Sequence, residues 1–62
     1  MHEANEIIDG FFSIHQDMNT KRIIISKYGQ TVKQIQPGKI LTLDELHDML
    51  IRERTEMFME GV

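Results

Sequence analysis

Lys21, Arg22, Lys27, Lys33 and Lys39 are the residues of this 62-residue chain whose types and spacing most suggest chemistry. They fall between Met18 and Leu43, a stretch that holds no Asp or Glu. Such a run attracts phosphate, because each Lys or Arg that neutralises a nucleic-acid backbone charge also releases a counterion. The flanks oppose that reading. Glu3, Glu6, Asp9 and Asp17 come before the run, and six acids set against Arg52 and Arg54 come after it, leaving a formal net charge of −3. The layout is acidic, basic, acidic. Nucleic acid is therefore the alternative partner, bound through those five cations. Tyr28 is the single aromatic of that segment, so base stacking is thinly supplied. The lysines also have a plain use, which is to keep an edge strand from pairing with strangers.

Other chemistries find less support. Glu45 and Asp48 share a helix face with Arg52, at the spacing where Asp48 and Arg52 can pair. Acid–base catalysis would need one of these carboxylates in an apolar pocket, and a solvated helix face is the simpler reading. His2, His15 and His47 would have to converge from a terminus and two separate elements to hold zinc, so no metal site is expected. With no cysteine there is neither a disulfide nor a thiolate ligand. Gly10, Gly29, Gly38 and Gly61 are spread as turns and caps rather than gathered into a phosphate loop. No cofactor and no enzymatic activity are expected. No apolar run approaches the roughly 20 residues of a membrane span, and no basic n-region leads into an apolar stretch. The expectation is a cytoplasmic protein with no membrane partner.

The elements that position these residues are best marked at the C-terminal end. Thr42 and Glu45 form a capping box, with Leu41 and Leu46 at the two positions of a hydrophobic staple. Asp44 and Glu45 suit the positive end of the helix dipole, and Gly61 suits a left-handed cap. These signals predict a helix over about 43–60. At about 100° per residue, Leu43, Leu46, Met49, Leu50 and Met57 form one apolar stripe, with Ile51 and Phe58 as a second stripe beside it. Together they span about 200°, wider than the ~100° one packing layer requires, and Glu53 and Arg54 interrupt the arc.

Residues 3–18 admit two readings. An Asp9-Gly10 turn followed by alternating Phe12 and Ile14 points to a strand. Helical spacing instead gathers Ala4, Ile7, Ile8, Phe11, Phe12, Ile14, His15 and Met18 within about 160°, with Glu3, Asn5, Glu6, Asp9, Gly10, Ser13, Gln16 and Asp17 opposite. The separation is nearly complete over four turns, so a helix is expected, ended by a left-handed Asn19. The β-branched run Ile23-Ile24-Ile25 predicts a strand, a two-residue turn at Gly29-Gln30 reverses it, and Thr31 to Gln36 returns. Val32 and Ile35 fall on different faces under strict alternation, which calls for a bulge or a weakly buried edge.

The expected fold class is thus α+β: one domain over 1–62, arranged α-β-β-α, with a helix over 3–18, a hairpin over 22–36 and a helix over 43–60. A chain this small buries only about 60% of its unfolded surface, and a lone hairpin is marginal. Pairing two hairpins edge to edge would build a four-stranded sheet, so a homodimer is expected. The wide apolar arc points to a non-enzymatic module that binds another protein, as a regulator or inhibitor. Ile51, Phe58 and Met59 would make the contact, with Glu53, Arg54 and Glu56 setting register. Size and composition are in the style of small regulatory proteins of bacteria and phages.

Overall fold

The computed structural model describes residues 4–60. Four strands, β1 (Ala4–Asp9), β2 (Phe12–Asp17), β3 (Ile23–Lys27) and β4 (Gln30–Ile35), precede one helix, α1 (Leu43–Glu60). The strands form an antiparallel meander in the order β1-β2-β3-β4, and α1 packs across one face. The arrangement is therefore β-β-β-β-α, and the helix expected over 3–18 is a hairpin.

The physical reason for the difference is legible in the register. Ile7 pairs with Ile14 and Asp9 with Phe12, so each apolar doublet of this segment is split by the pleat. Ile7, Phe12 and Ile14 face α1, while Ile8 and His15 take the opposite face and Phe11 sits in the turn. Doublets recurring about every four residues imitate a helical stripe although the true period is two. Gly10 settles the matter: at φ +64° it occupies the first central position of a two-residue hairpin turn, where glycine costs nothing. With the hairpin in place, all four strands come from one chain, and no second copy is needed to complete the sheet.

The remaining turns shift by small steps from expectation. The β3–β4 reversal centres on Tyr28 and Gly29, at φ 54° and 77°, one residue earlier than Gly29-Gln30. Two positive φ values in a two-residue loop match the twist of the flanking strands. Lys21, at φ 66°, is the left-handed residue of the β2–β3 loop rather than Asn19. Asp17 Oδ1 organises that loop by accepting from the Asn19 and Thr20 amides at 2.7 and 2.9 Å. Donation from the Thr20 and Asn19 backbone holds the Asp17 carboxyl below its ordinary range. The β3–β4 register slips between Ile25 and Ser26, so Val32 stands opposite no partner, the bulge that its mismatch with Ile35 called for.

On the covered face, Phe12, Ile14, Ile23 and Ile25 meet Leu41, Leu46 and Leu50 in a single core. Each fully buried Ile or Leu contributes roughly 1.5–3 kcal/mol of transfer free energy. The helix begins as its sequence says. The Thr42 amide donates to Glu45 Oε1 at 2.9 Å, and the Glu45 amide to Thr42 Oγ1 at 3.1 Å. The Thr42 amide, with Lys39 second, keeps the Glu45 carboxyl below its usual range. Leu41 and Leu46 are both buried, as a staple requires, whereas Leu43 is 55% exposed and leaves the stripe. Gly61 lies outside the described residues.

One polar side chain is sealed into this core. Gln16 is fully buried; its Nε2 donates to the carbonyls of Lys21 and Lys39, both at 2.9 Å, and its Oε1 accepts from the Leu41 amide at 2.8 Å. One amide thus joins β2, the β2–β3 loop and the segment entering α1. Gln16→Met keeps the shape but strands those backbone groups, and should cost about 2–4 kcal/mol. That is a large part of the roughly 3–9 kcal/mol expected of a domain this size. The exposed Gln34→Met should stay within about 0.5 kcal/mol. Urea denaturation of both variants is the check, and equal midpoints would refute the role given to Gln16.

Candidate functional site

The two hairpin turns, Gly10-Phe11 and Tyr28-Gly29, close at the same end of the sheet. There the Tyr28 amide donates to the Phe11 carbonyl at 2.8 Å, tying one tip to the other. The Phe11 and Tyr28 rings stack, with centroids 4.6 Å apart and planes 9° from parallel, and Phe11 meets Phe12 at 5.0 Å. The last turns of α1 arrive at this end and bring Met57 and Phe58. All four Phe and Tyr rings of the chain therefore gather at one pole of the molecule. Three of them remain open to solvent: Phe11 is 51% exposed, Tyr28 71% and Phe58 78%. Between the tips and the helix lies a cleft of about 300 Å³, lined by Phe11, Phe12, Lys27, Arg54, Thr55, Met57 and Phe58.

The ion pairs decide which charges this pole presents. Glu53 and Arg54 are consecutive on α1, and each reaches a different edge of the sheet. Arg54 Nη1 donates to Asp9 Oδ2 on β1, and Lys33 Nζ on β4 donates to Glu53 Oε1 at 2.7 Å, where the Glu53 side chain is only 12% exposed. Their interruption of the apolar arc thus has a local cause: they fasten the helix across the sheet. Both residues expected to set register with a partner are thus engaged within the chain. Lys27 is different. Its ammonium lies 5.7 Å from the centre of the Phe12 ring, and it has no carboxylate partner among the described residues.

The other sequence candidates disperse. Ile51 is half-buried, Glu56 is exposed on the β4 side of the helix, and the Met59 side chain lies outside the described residues. Of the five cations, Lys33 is engaged by Glu53, and Lys39 Nζ lies 3.3 Å from Glu45 Oε2. Lys21 and Lys39 meet near Gln16, at the far end of the sheet from Lys27. A five-residue strand, roughly 17 Å long, separates Arg22 from the Tyr28 turn, so the basic segment does not fold into one stripe. His15 sits mid-sheet on the uncovered face, between Glu6 and Ile24, and His47 is exposed on α1; His2 lies outside the described residues. No group of three His, Asp or Glu among the described residues is placed to hold a metal ion. No described helix is long and apolar enough to cross a membrane.

Sequence reading missed Phe11, Phe12 and Tyr28 as a group. The available signal was a glycine beside an aromatic at both turns, Gly10-Phe11 and Tyr28-Gly29, which places the rings at hairpin tips once both segments are read as hairpins.

Two stability contrasts separate scaffold from surface here. Phe12→Ala, at 6% exposure, should cost about 3–5 kcal/mol, while Phe58→Ala should stay within about 0.5 kcal/mol. Comparable losses would mean that Phe58 belongs to the core. Lys33→Met should cost about 1–3 kcal/mol by leaving Glu53 unanswered, and adding Glu53→Leu should restore most of it, since leucine there continues the Leu46–Leu50–Met57 stripe. A double mutant as unstable as the single would show that the pair is not what holds β4 to the helix.

Comparison with protein-family models, curated proteins and solved structures finds no match to this chain.

Proposed function

We propose that this protein is a non-enzymatic interaction module that binds another protein through its aromatic pole. The observation that carries the reading is the exposure of Phe11, Tyr28 and Phe58 around one cleft, while the remaining ring, Phe12, is buried. Aromatic side chains bring large area at low cost in side-chain freedom, and they dominate the energetic centres of protein interfaces. Tyr28 adds a second argument. A non-glycine residue at positive φ is disfavoured by roughly 1 kcal/mol or more, yet the ring there is 71% exposed. The turn bears that strain while its ring faces solvent.

Nucleic acid stays the competing partner, and the aromatic platform is larger than Tyr28 alone. Its electrostatics weigh against it: the chain carries −3, two of the five hairpin-region cations are engaged by α1, and the rest divide between opposite ends. Self-association is a separate matter, since the sheet is complete within one chain.

A photo-crosslinking residue placed at Phe58, with Leu43 at the other end of α1 as control, tests the reading in native cells. The expected result is one protein attached at position 58 and not at position 43, lost when Phe11 and Tyr28 are both changed to Ser. Nucleic acid in the crosslink, or equal products at both positions, would overturn it.

A further inference from the structure

The proposed reading leaves open what the cleft recognises, and the following inference rests on that reading. Among the described residues, the charged side chains lining the cleft are Lys27 and Arg54, both cations, in a chain whose net charge is −3. Arg54 is already answered by Asp9. Among the described residues, Lys27 is answered only by the face of Phe12, a weaker partner than a carboxylate. Thr55, the remaining polar residue of the lining, spends its hydroxyl proton on the Ile51 carbonyl at 2.9 Å. Within the described residues the cleft therefore offers apolar walls and one positive charge without a carboxylate partner. At about 300 Å³ it stands at the small end of binding pockets, suited to one bulky side chain. Its Phe11 wall is held by the stack on Tyr28 and by the bond between the two tips, so little ordering is required on binding.

We infer that the cleft takes a single apolar or aromatic side chain of the partner protein, with a carboxylate next to it in the partner's chain pairing with Lys27. The recognised segment is thus a short acidic–hydrophobic stretch. Charge selects the sequence context, and the apolar anchor supplies the contact area. One cation without a carboxylate partner among the described residues matches one carboxylate; a nucleic-acid strand would call for several cations along its phosphates.

The test uses the full chain, ¹⁵N-labelled, titrated at low salt with three capped pentapeptides that share a central phenylalanine flanked on each side by two glutamates, two glutamines or two lysines. The glutamate peptide should shift the amides of Phe11, Lys27, Thr55 and Phe58, and should bind about 10-fold or more tighter than the glutamine peptide. Lys27→Gln should erase that preference. Phe58→Ser should weaken both peptides, with the amides of Ile14 and Leu50 reporting an intact core. If glutamine and glutamate peptides bind alike at these residues, acid selection is wrong although a protein-docking cleft stands. If shifts map elsewhere, or no peptide binds, the inference is overturned. Two further outcomes also overturn it: phenylacetate competing as well as the peptide, which would mark a small aromatic acid as the occupant, and a dimer that Phe58→Ser dissociates, which would mark a second copy.

Discussion

Gln16 is the constraint on which the rest of this small fold depends. A buried amide without partners would destabilise the domain by several kcal/mol, so its position is tolerable only where the backbone brings donors and acceptors to it. Here the β2–β3 loop supplies the Lys21 carbonyl, and the segment before α1 supplies the Lys39 carbonyl and the Leu41 amide. Those segments have no regular structure of their own to satisfy these groups. Gln36 adds a second tie by donating to the Thr20 carbonyl at 2.7 Å. The consequence is positional: Leu41 is fixed, the capping box starts where Thr42 lies, and α1 leaves that end of the sheet at one angle.

From that anchored start, α1 runs toward the aromatic pole and is clamped again by Glu53 and Arg54, one to each edge strand. Such pairs add little net stability when solvated, but they restrict how the helix rotates over the sheet. Rotation matters because Met57 and Phe58 form the helical wall of the cleft. The polar hub at one end and the paired charges near the other thus set the shape of the cleft between them.

How much of this was legible in the sequence differs by element. The C-terminal helix, Leu43–Glu60, was readable from the sequence, because its capping box, staple and dipole charges are all local signals. The Ile23–Ile25 strand and its return were readable to within a residue at the turn. The first hairpin was not, since Ile7-Ile8, Phe11-Phe12 and Ile14-His15 recur at a spacing shared by a helix face and by a split strand pair. In that reading Gln16 fell on the solvent side, and no periodicity argument detects a buried amide whose partners lie 5, 23 and 25 residues away. Of the cleft lining, the sequence pointed to Phe58 and Arg54 as contacts and to Lys27 as one of the five cations, without bringing them together. Phe11 and Tyr28 become a site through the pairing of two turns, a tertiary fact.

The strand order carries a kinetic meaning as well. Every strand pairs with its neighbour in sequence, so the sheet can zip by successive hairpins, each closing a short loop at small entropic expense. Docking of α1 is the long-range event, and it coincides with satisfaction of Gln16, because the same segment that delivers the helix delivers two of the three bonds. The meander without its helix would leave Gln16 only its bond to the Lys21 carbonyl. Sheet and helix are thereby bound into one cooperative unit, so the sheet has little stability to keep once the helix departs.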